Sequence, residues 1–217
     1  MKNKFFVLSV VAGLLGVSAP SFALSQGQDF TNQNTSHSIL LVSAEDGAQA
    51  KQFVSTMGDK AISFLSNASL TQSQKESEFR KLLNQNFDMA TIGRFALGTN
   101  WKNASDKQKA EYQKLFNDMI VKIYSGRFND YKGEGFDVAS FQDSGKSDIL
   151  VTSYIVPHTG SKIQVDWRVR NKNGQYKIID VIIEGVSMSL TQRSDFSSVI
   201  QRGGGNFEVL LEHLRNY

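Results

Sequence analysis

The chain has 217 residues and no cysteine, and its 24 Lys and Arg residues outnumber its 21 Asp and Glu residues to give a formal net charge of +3. Lys2 and Lys4 lie in the first 23 residues, which contain no acid, so the rest of the chain carries 22 positive and 21 negative groups. This balance argues against nucleic acid as a partner and against a polybasic site for anionic lipid surfaces. Without disulfides, the fold must depend on burial.

The N-terminus has the pattern of a secretory signal peptide. Lys2 and Lys4 precede an almost wholly apolar run at residues 5–17, and residues 21–23 place small side chains where a signal peptidase cuts. The apolar run is shorter than the ~20 residues needed to span a bilayer, which makes a retained membrane anchor the weaker interpretation. We therefore predict that residues 1–23 are removed after export.

The next segments change from polar to amphipathic. Residues 24–44 are mostly polar and predict a mobile N-terminal arm, followed by a single domain over residues 45–217. Apolar residues recur at helical spacing from Ala44 to Leu65, which predicts a first helix. Thr71, with Gln74 three residues later, has the form of a capping box that opens a second helix.

Two further helices are predicted before the chain changes character. Asp88 can cap a third helix, which runs to Gly98. Ser105 opens a fourth, predicted to be the longest and to reach about Tyr131. Its broad apolar face consists of Tyr112, Leu115, Phe116, Met119, Ile120, Ile123, Tyr124 and Phe128.

After Gly135 the apolar period becomes alternating, which is typical of antiparallel sheet. We predict four strands and then two short helices, at about residues 135–142, 147–157, 161–171 and 175–187, and at 190–202 and 206–215. Helices grouped before strands predict an α+β domain, in which the N-terminal helices pack on one face of a curved four-stranded antiparallel sheet. Such packing leaves a concave space between the layers.

The last predicted strand is apolar on both faces, so both faces should be covered. Simple alternation places Ile179, Val181 and Ile183 on one face, and Ile178, Asp180, Ile182 and Glu184 on the other. One cover could be a bound apolar ligand.

Two motifs, in order along the chain, resemble those of a known family. The first is Phe87-Asp88-Met89 with Ile92, Gly93-Arg94, Leu97-Gly98 and Trp101, followed by Gln108, Phe116 and Tyr124. The second is Asp-Val-x-x-Glu-Gly-Val-Ser, from Asp180 to Ser187, followed by Arg193 and Phe196. Together they resemble the periplasmic phospholipid-binding component of the Mla lipid-transport system, also called the toluene-tolerance family, an auxiliary component of an ABC transporter.

The resemblance implies a cone-like fold of the nuclear transport factor type, whose internal apolar cavity holds lipid tails and leaves the head group exposed. It implies a soluble, monomeric periplasmic shuttle without enzymatic activity, cofactor or metal. Its partners would be an outer-membrane lipoprotein-porin complex and an inner-membrane ABC-transporter complex, and its role would be to maintain outer-membrane lipid asymmetry. Candidate lipid-binding residues come from the fourth helix and the inward strand faces: Leu115, Phe116, Met119, Ile120, Ile123, Val151, Tyr154, Val165, Trp167, Ile182, Val186 and Met188.

Catalytic and metal chemistry find little support. His37, His158 and His213 are scattered along a chain without cysteine, which argues against a metal site. Ser187 lies in a run that lacks the second glycine of a nucleophile elbow, which argues against nucleophilic hydrolysis and favours a strand-end or turn position.

Asp180 requires a partner if it is buried between Ile178 and Ile182. We predict a structural ion pair with Arg193, with Arg94 as the other possible cation. The alternative is a small isomerase-like cavity enzyme, in which Asp180 or Asp166 acts as a base on a hydrophobic substrate. A third possibility is a structural envelope protein with a filled core.

Overall fold

The structure is a computed structural model that describes residues 43–145 and 148–217. The predicted signal peptide over residues 1–23, and nearly all of the predicted arm over residues 24–44, lie outside these ranges. The predicted arm overlaps the described residues at Ser43, whose side chain caps the first helix, and at Ala44, where that helix begins.

Within the described ranges, six α-helices begin where the sequence supplies capping residues. Each N-terminal cap is a Ser, Thr, Asp or Asn side chain that accepts a hydrogen bond from an amide of the first turn, which satisfies a donor that the helix itself leaves unpaired. The predicted capping box of Thr71 and Gln74 is confirmed, and a second joins Ser105 and Gln108. In this part of the chain, none of the helices has the length and apolar character needed to cross a membrane. They are α1 (Ala44–Ser66), α2 (Gln72–Asn86), α3 (Met89–Leu97), α4 (Asp106–Ser125), α5 (Met188–Arg202) and α6 (Phe207–Arg215).

The fourth helix is shorter than predicted. It has 20 residues, fewer than the 23 of α1, and it stops before Gly126, because glycine is a poor helix former. The chain continues as a 3-10 turn, Phe128–Asp130. The ring centroid of Phe128 then lies 5.9 Å from that of Phe64 in α1 and 5.3 Å from that of Phe79 in α2.

The strands form one antiparallel sheet in the order β1-β2-β3-β4-β5. They are β1 (Gly135–Asp143), β2 (Asp148–Val156), β3 (Ile163–Lys172), β4 (Gln175–Ile183) and β5 (Val186–Ser187). The α+β prediction is confirmed, but the predicted fourth strand is two strands. Glu184 and Gly185 have positive φ angles of 49° and 81°, and they form a two-residue hairpin turn that pairs Ile183 with Val186.

A β-bulge in β4 changes which side chains share a face. The register shifts between Ile178 and Asp180, which leaves Ile179 as the extra residue. Ile178 therefore shares the face of Val181, and the prediction from simple alternation is wrong at this position. Both residues pack in one cluster with Val54 of α1, so this is the face that α1 covers.

Helix α1 lies close against β1 because two of its glycines face phenylalanine rings. A Cβ atom added at Gly47 would lie 1.9 Å from the ring of Phe141, and one added at Gly58 would lie 2.3 Å from the ring of Phe136. The two glycines are about three helical turns apart. The missing Cβ atoms therefore set the spacing between α1 and the sheet over about half of the helix.

Helices α3 to α6 form a second group beside β4. The chain leaves α2 along the edge of β4, where the amide of Asp88 donates to the carbonyl oxygen of Ile178 at 2.9 Å. After α3, a 3-10 turn at Gly98–Lys102 leads toward α4. Helix α5 follows β5 directly and packs on α3 and β4, and α6 packs on α4 and α5.

Candidate functional site

The sheet face under α1 carries the first of two apolar clusters, which we name the sheet cluster. Its buried residues come from α1, α2 and strands β2 to β4: Ala50, Val54, Met57, Phe64, Leu82, Ile149, Val151, Val169 and Ile178. Its other aromatic side chains remain partly exposed: Phe53, Phe79, Phe87, Phe128, Phe136, Trp167 and Tyr176.

Trp167 lies within this partly exposed set. Its ring centroid is 6.1 Å from that of Phe136 and 6.5 Å from that of Phe87, both in edge-on arrangements. The indole Nε1–H donates to Ser153 Oγ at 2.8 Å. Because this hydrogen bond satisfies the one polar atom of the side chain, the rest of the ring offers apolar surface.

The second cluster, which we name the helix cluster, is filled. Tyr112, Phe116 and Phe196 are 0%, 1% and 1% exposed, and the Tyr112 ring stacks on Phe116 at 5.7 Å between centroids. The Tyr112 hydroxyl donates to the carbonyl oxygen of Gly93 at 2.9 Å, and burial raises the pKa of this hydroxyl. The other buried residues are Ala96, Leu97, Ala104, Met119, Val199, Ile200, Phe207, Leu210, Leu211 and Leu214.

The predicted lining residues are divided between these clusters. Those from α4 all pack in the helix cluster, where Phe116 and Met119 are buried and Leu115, Ile120 and Ile123 are partly buried. Val151 and Trp167 belong to the sheet cluster, and Val165, on the same sheet face, is buried. Val186 and Met188 are partly buried, in β5 and at the start of α5.

Two predicted lining residues lie on the opposite face of the sheet. Tyr154 is three residues from Val151 in the same strand, so the two side chains point in opposite directions. Ile182 pairs with Asp166, which alternates with Trp167 along β3. The helix-covered face therefore excludes Tyr154 and Ile182, and their assignment to one inward surface is corrected.

Sequence reasoning named Trp167 but missed the other partly exposed aromatic residues of the sheet cluster as lining residues. Phe53 stands next to Val54 in the amphipathic pattern of α1, and Phe87 stands in the first family motif. Phe136 and Val138 lie two residues apart at the start of β1 and so share one face of the strand. Each signal is local, whereas their meeting on one face depends on how helices and strands pack.

Asp180 is bound by hydroxyl and amide groups. Its side chain is buried, and Ser187 Oγ donates to Oδ2 at 2.6 Å while Ser189 Oγ donates to Oδ1 at 2.6 Å. The amides of Val181 and Ser189 also donate to Oδ1, at 3.0 Å and 3.2 Å. Four donors thus satisfy the carboxylate without a counter-charge.

The predicted ion pair between Asp180 and Arg193 is therefore wrong. Arg193 Nε donates to the carbonyl oxygen of Phe95 at 2.9 Å, and its guanidinium carbon lies 3.9 Å from the centroid of the Phe95 ring, a cation–π contact. The guanidinium of Arg94 lies 5.9 Å from the Trp101 ring. The tight turn between β4 and β5 places the hydroxyl groups of Ser187 and Ser189 next to Asp180, whereas the two arginines contact other groups.

Asp166, the other candidate base, is bound in the same manner. It is buried, and its Oδ1 accepts from Thr152 Oγ1 at 2.7 Å while its Oδ2 accepts from Gln164 Nε2 at 2.9 Å. Both oxygens therefore connect neighbouring parts of the sheet.

The histidines that the structure describes have local contacts. His158 Nε2 forms a hydrogen bond with the carbonyl oxygen of Lys132 at 2.9 Å, and the His213 ring lies 5.4 Å from that of Tyr217. His37 lies outside the described residues. Within residues 43–145 and 148–217, no group of three or more His, Cys, Asp or Glu side chains could hold a metal ion.

These features define a class of α+β protein in which helices cover one face of an antiparallel sheet and leave a partly exposed apolar surface on it. A solved structure has the same fold, that of a phospholipid-binding protein from Ralstonia solanacearum in complex with a phospholipid. The two chains align with a TM-score of 0.66 and 22% identity, over 77% of this chain and 95% of the other.

The family model described as MlaC protein matches residues 55–216. The chain belongs to the MlaC family, which confirms the resemblance carried by the two motifs. It is 23% identical over 116 residues to the intermembrane phospholipid transport system binding protein MlaC of Haemophilus influenzae, over 52% of this chain and 54% of the relative. It is 20% identical over 111 residues to the toluene tolerance protein ttg2D of Pseudomonas putida, over 51% and 52%. The chain thus spans about half the length of the curated relatives that it matches.

Proposed function

We propose that this chain binds a phospholipid, with the acyl chains against the sheet cluster and the head group in water. The observation that carries the proposal is the difference between the two clusters. Tyr112, Phe116 and Phe196 of the helix cluster are almost completely buried, whereas Phe87, Trp167 and most other aromatic residues of the sheet cluster remain partly exposed. A filled core would bury these rings, but a binding surface leaves them for a ligand to cover.

Membership of the MlaC family supports this proposal. One relative is named an intermembrane phospholipid transport system binding protein, and the solved structure with the same fold contains a phospholipid. These are properties of those proteins, and the partly exposed apolar surface gives this chain a physical basis for the same ligand.

The energetics of lipid transfer require such a surface. A diacyl phospholipid has roughly 30 methylene groups, so exposing its tails to water costs about 24 kcal/mol at about 0.8 kcal/mol per group. This cost exceeds the free energy that noncovalent binding supplies. A lipid on its own therefore leaves a membrane too slowly for spontaneous transfer to be useful. A carrier needs only to enclose the tails, which requires no cofactor, metal or nucleophile.

Among the predicted lining residues, we assign tail contact to Trp167, which is partly exposed on the helix-covered face, and not to Val151 and Val165, which are 0% and 2% exposed. The partly buried residues Leu115, Ile120 and Ile123 of α4 are secondary candidates, since they already pack against the helix cluster. Phe116 and Met119, at 1% exposure, serve the folded core.

The cellular role that we propose follows from the family. After removal of residues 1–23, the protein would act in the periplasm as a shuttle between an outer-membrane lipoprotein-porin complex and an inner-membrane ABC-transporter complex. Transfer of this kind would maintain outer-membrane lipid asymmetry. Because the lipid cannot cross water between carriers, each complex would have to contact this protein directly.

Native mass spectrometry of protein purified without detergent, followed by solvent extraction, tests lipid binding. We expect a mass increment that resolves into phospholipids, and we expect Phe136→Ser to reduce it. Leu190→Ser is the matched control, because Leu190 is 52% exposed on α5 and outside the sheet cluster. An unmodified mass, together with no uptake of lipid from liposomes, would contradict the proposal.

A further inference from the structure

A cleft lies where the end of α2 and the start of α3 meet the hairpin between β3 and β4. Its volume is about 420 Å³, within the roughly 300–1,000 Å³ of small-molecule sites. Its lining includes the apolar side chains of Phe87 and Met89 and the cationic side chains of Arg170, Lys172 and Lys177. The cleft is therefore concave and partly apolar, and it presents several cations to whatever enters it.

The charge of the cleft favours an anion. Among the described residues that line it, Asp88 is the one acid, against the three cations Arg170, Lys172 and Lys177. Asp88 is also engaged in capping α3, since its oxygens accept hydrogen bonds from the amide and the hydroxyl of Thr91 at 2.9 Å and 2.7 Å. Its negative charge is thus directed into the helix terminus.

Two of the cations are held in place by the fold. Arg170 Nε and Nη2 donate to the two oxygens of Asp148 at 2.7 Å and 2.9 Å, a bidentate arrangement that fixes the guanidinium plane. Lys177 Nζ donates to the carbonyl oxygen of Gln85 and, as an ammonium, has two more N–H donors. Asp148 offsets the charge of Arg170 and Asp88 offsets that of one lysine, so Lys172 and Lys177 together leave an excess of one positive charge.

We propose that this cleft binds a phosphate group. Arginine and lysine side chains that line one cleft are suited to phosphate oxygens, and the apolar side chains of Phe87 and Met89 in the same lining suit the ester substituent. The ring of Phe87 also lies 6.5 Å from that of Trp167, so the cleft adjoins the sheet cluster. The phosphate belongs either to the head group of a bound lipid, which rests on the proposed function, or to a free phosphate ester.

Amide chemical shifts of lipid-free protein, titrated with glycerol 3-phosphate and with inorganic phosphate, test this site. We expect shifts concentrated in residues 84–90 and 170–177. The double variant Lys172→Gln/Lys177→Gln should weaken binding at least roughly tenfold, while Lys172→Arg should retain it. Lys60→Gln/Lys114→Gln, which removes two exposed lysines of α1 and α4, is the matched control.

The same titration on phospholipid-loaded protein identifies the source of the phosphate. If the head group occupies the cleft, loading blocks glycerol 3-phosphate, and if a free ester is the ligand, its affinity is unchanged by loading. Both results support the site. Failure of the protein to hold lipid would exclude only the lipid head group as the source of the phosphate. The phosphate site itself would be overturned by chemical-shift changes spread over the surface, or by equal losses of affinity in Lys172→Gln/Lys177→Gln and in the control variant.

Discussion

Ser189 Oγ lies 2.6 Å from Asp180 Oδ1 and donates a hydrogen bond to it, which connects the first turn of α5 to strand β4. Ser187, the N-cap of α5, donates to the other carboxylate oxygen. A single buried carboxylate thus organises the reversal from β4 through β5 into α5. This geometry gives Asp180 a structural role, since both of its oxygens already accept short hydrogen bonds.

We expect Asp180→Asn to lower the free energy of unfolding by about 1–3 kcal/mol, because an amide offers one acceptor oxygen and leaves a buried hydroxyl unpaired. Urea denaturation measures this change. Asp195→Asn, at an exposed position of the same helix, should change stability by less than about 0.5 kcal/mol. We expect the folded Asp180→Asn protein to load lipid as the wild type does. If the wild type instead turned over a hydrophobic substrate, and Asp180→Asn abolished that turnover without a loss of stability, the cavity enzyme would be favoured.

The contact between α1 and β1 yields a prediction about glycine. Gly58→Ala should destabilise the protein by about 1–3 kcal/mol, because the added Cβ would lie 2.3 Å from the Phe136 ring. Gly126→Ala should be neutral or stabilising by up to about 1 kcal/mol, since its nearest neighbour would be 3.4 Å away. Thermal unfolding compares the two variants. Equal effects would mean that α1 and β1 are further apart than described.

Asp46 gives a prediction about pH. Hydrogen bonds, first of all from the hydroxyl of Ser43, lower the pKa of Asp46 below its usual value of 3.8, and Asn171 and Tyr176 also donate to this carboxylate. A lowered pKa in the folded state adds stability above the unfolded pKa, and this stability is lost as pH falls through the folded value.

The difference in unfolding free energy between wild type and Asp46→Asn should therefore narrow as pH falls below about 4. Urea denaturation at a series of pH values measures this difference. A difference that stays constant down to about pH 2.5 would show that the charge of Asp46 contributes nothing.

The parts of the fold that were predictable depend on local chemistry. Thr71, Asp88 and Ser105 mark helix starts because a capping side chain acts within its own turn. The hairpin turn at Glu184 was missed because a non-glycine residue with positive φ leaves no clear mark in the sequence. The bulge at Ile179 was missed because register depends on the partner strand.

The candidate site was predicted less well than the fold. Tyr154 and Val151 differ by an odd number of positions, so alternation alone could have separated them. Cross-strand register decides the face of Ile182, and that register is set by the whole sheet. Arg193 was expected at Asp180 because a charge suggests a counter-charge, whereas hydroxyl groups brought near by a tight turn satisfy it equally well.

Fluorescence quenching by phospholipids with brominated acyl chains tests most directly whether lipid tails lie against the sheet cluster. The chain has two tryptophans: Trp167 in the sheet cluster, and Trp101, which packs beside the helix cluster between Arg94 and Lys109. Each is isolated by replacing the other with phenylalanine. The account predicts strong quenching of Trp167 and little quenching of Trp101. Binding of brominated lipid without quenching of Trp167, or with stronger quenching of Trp101, would contradict it.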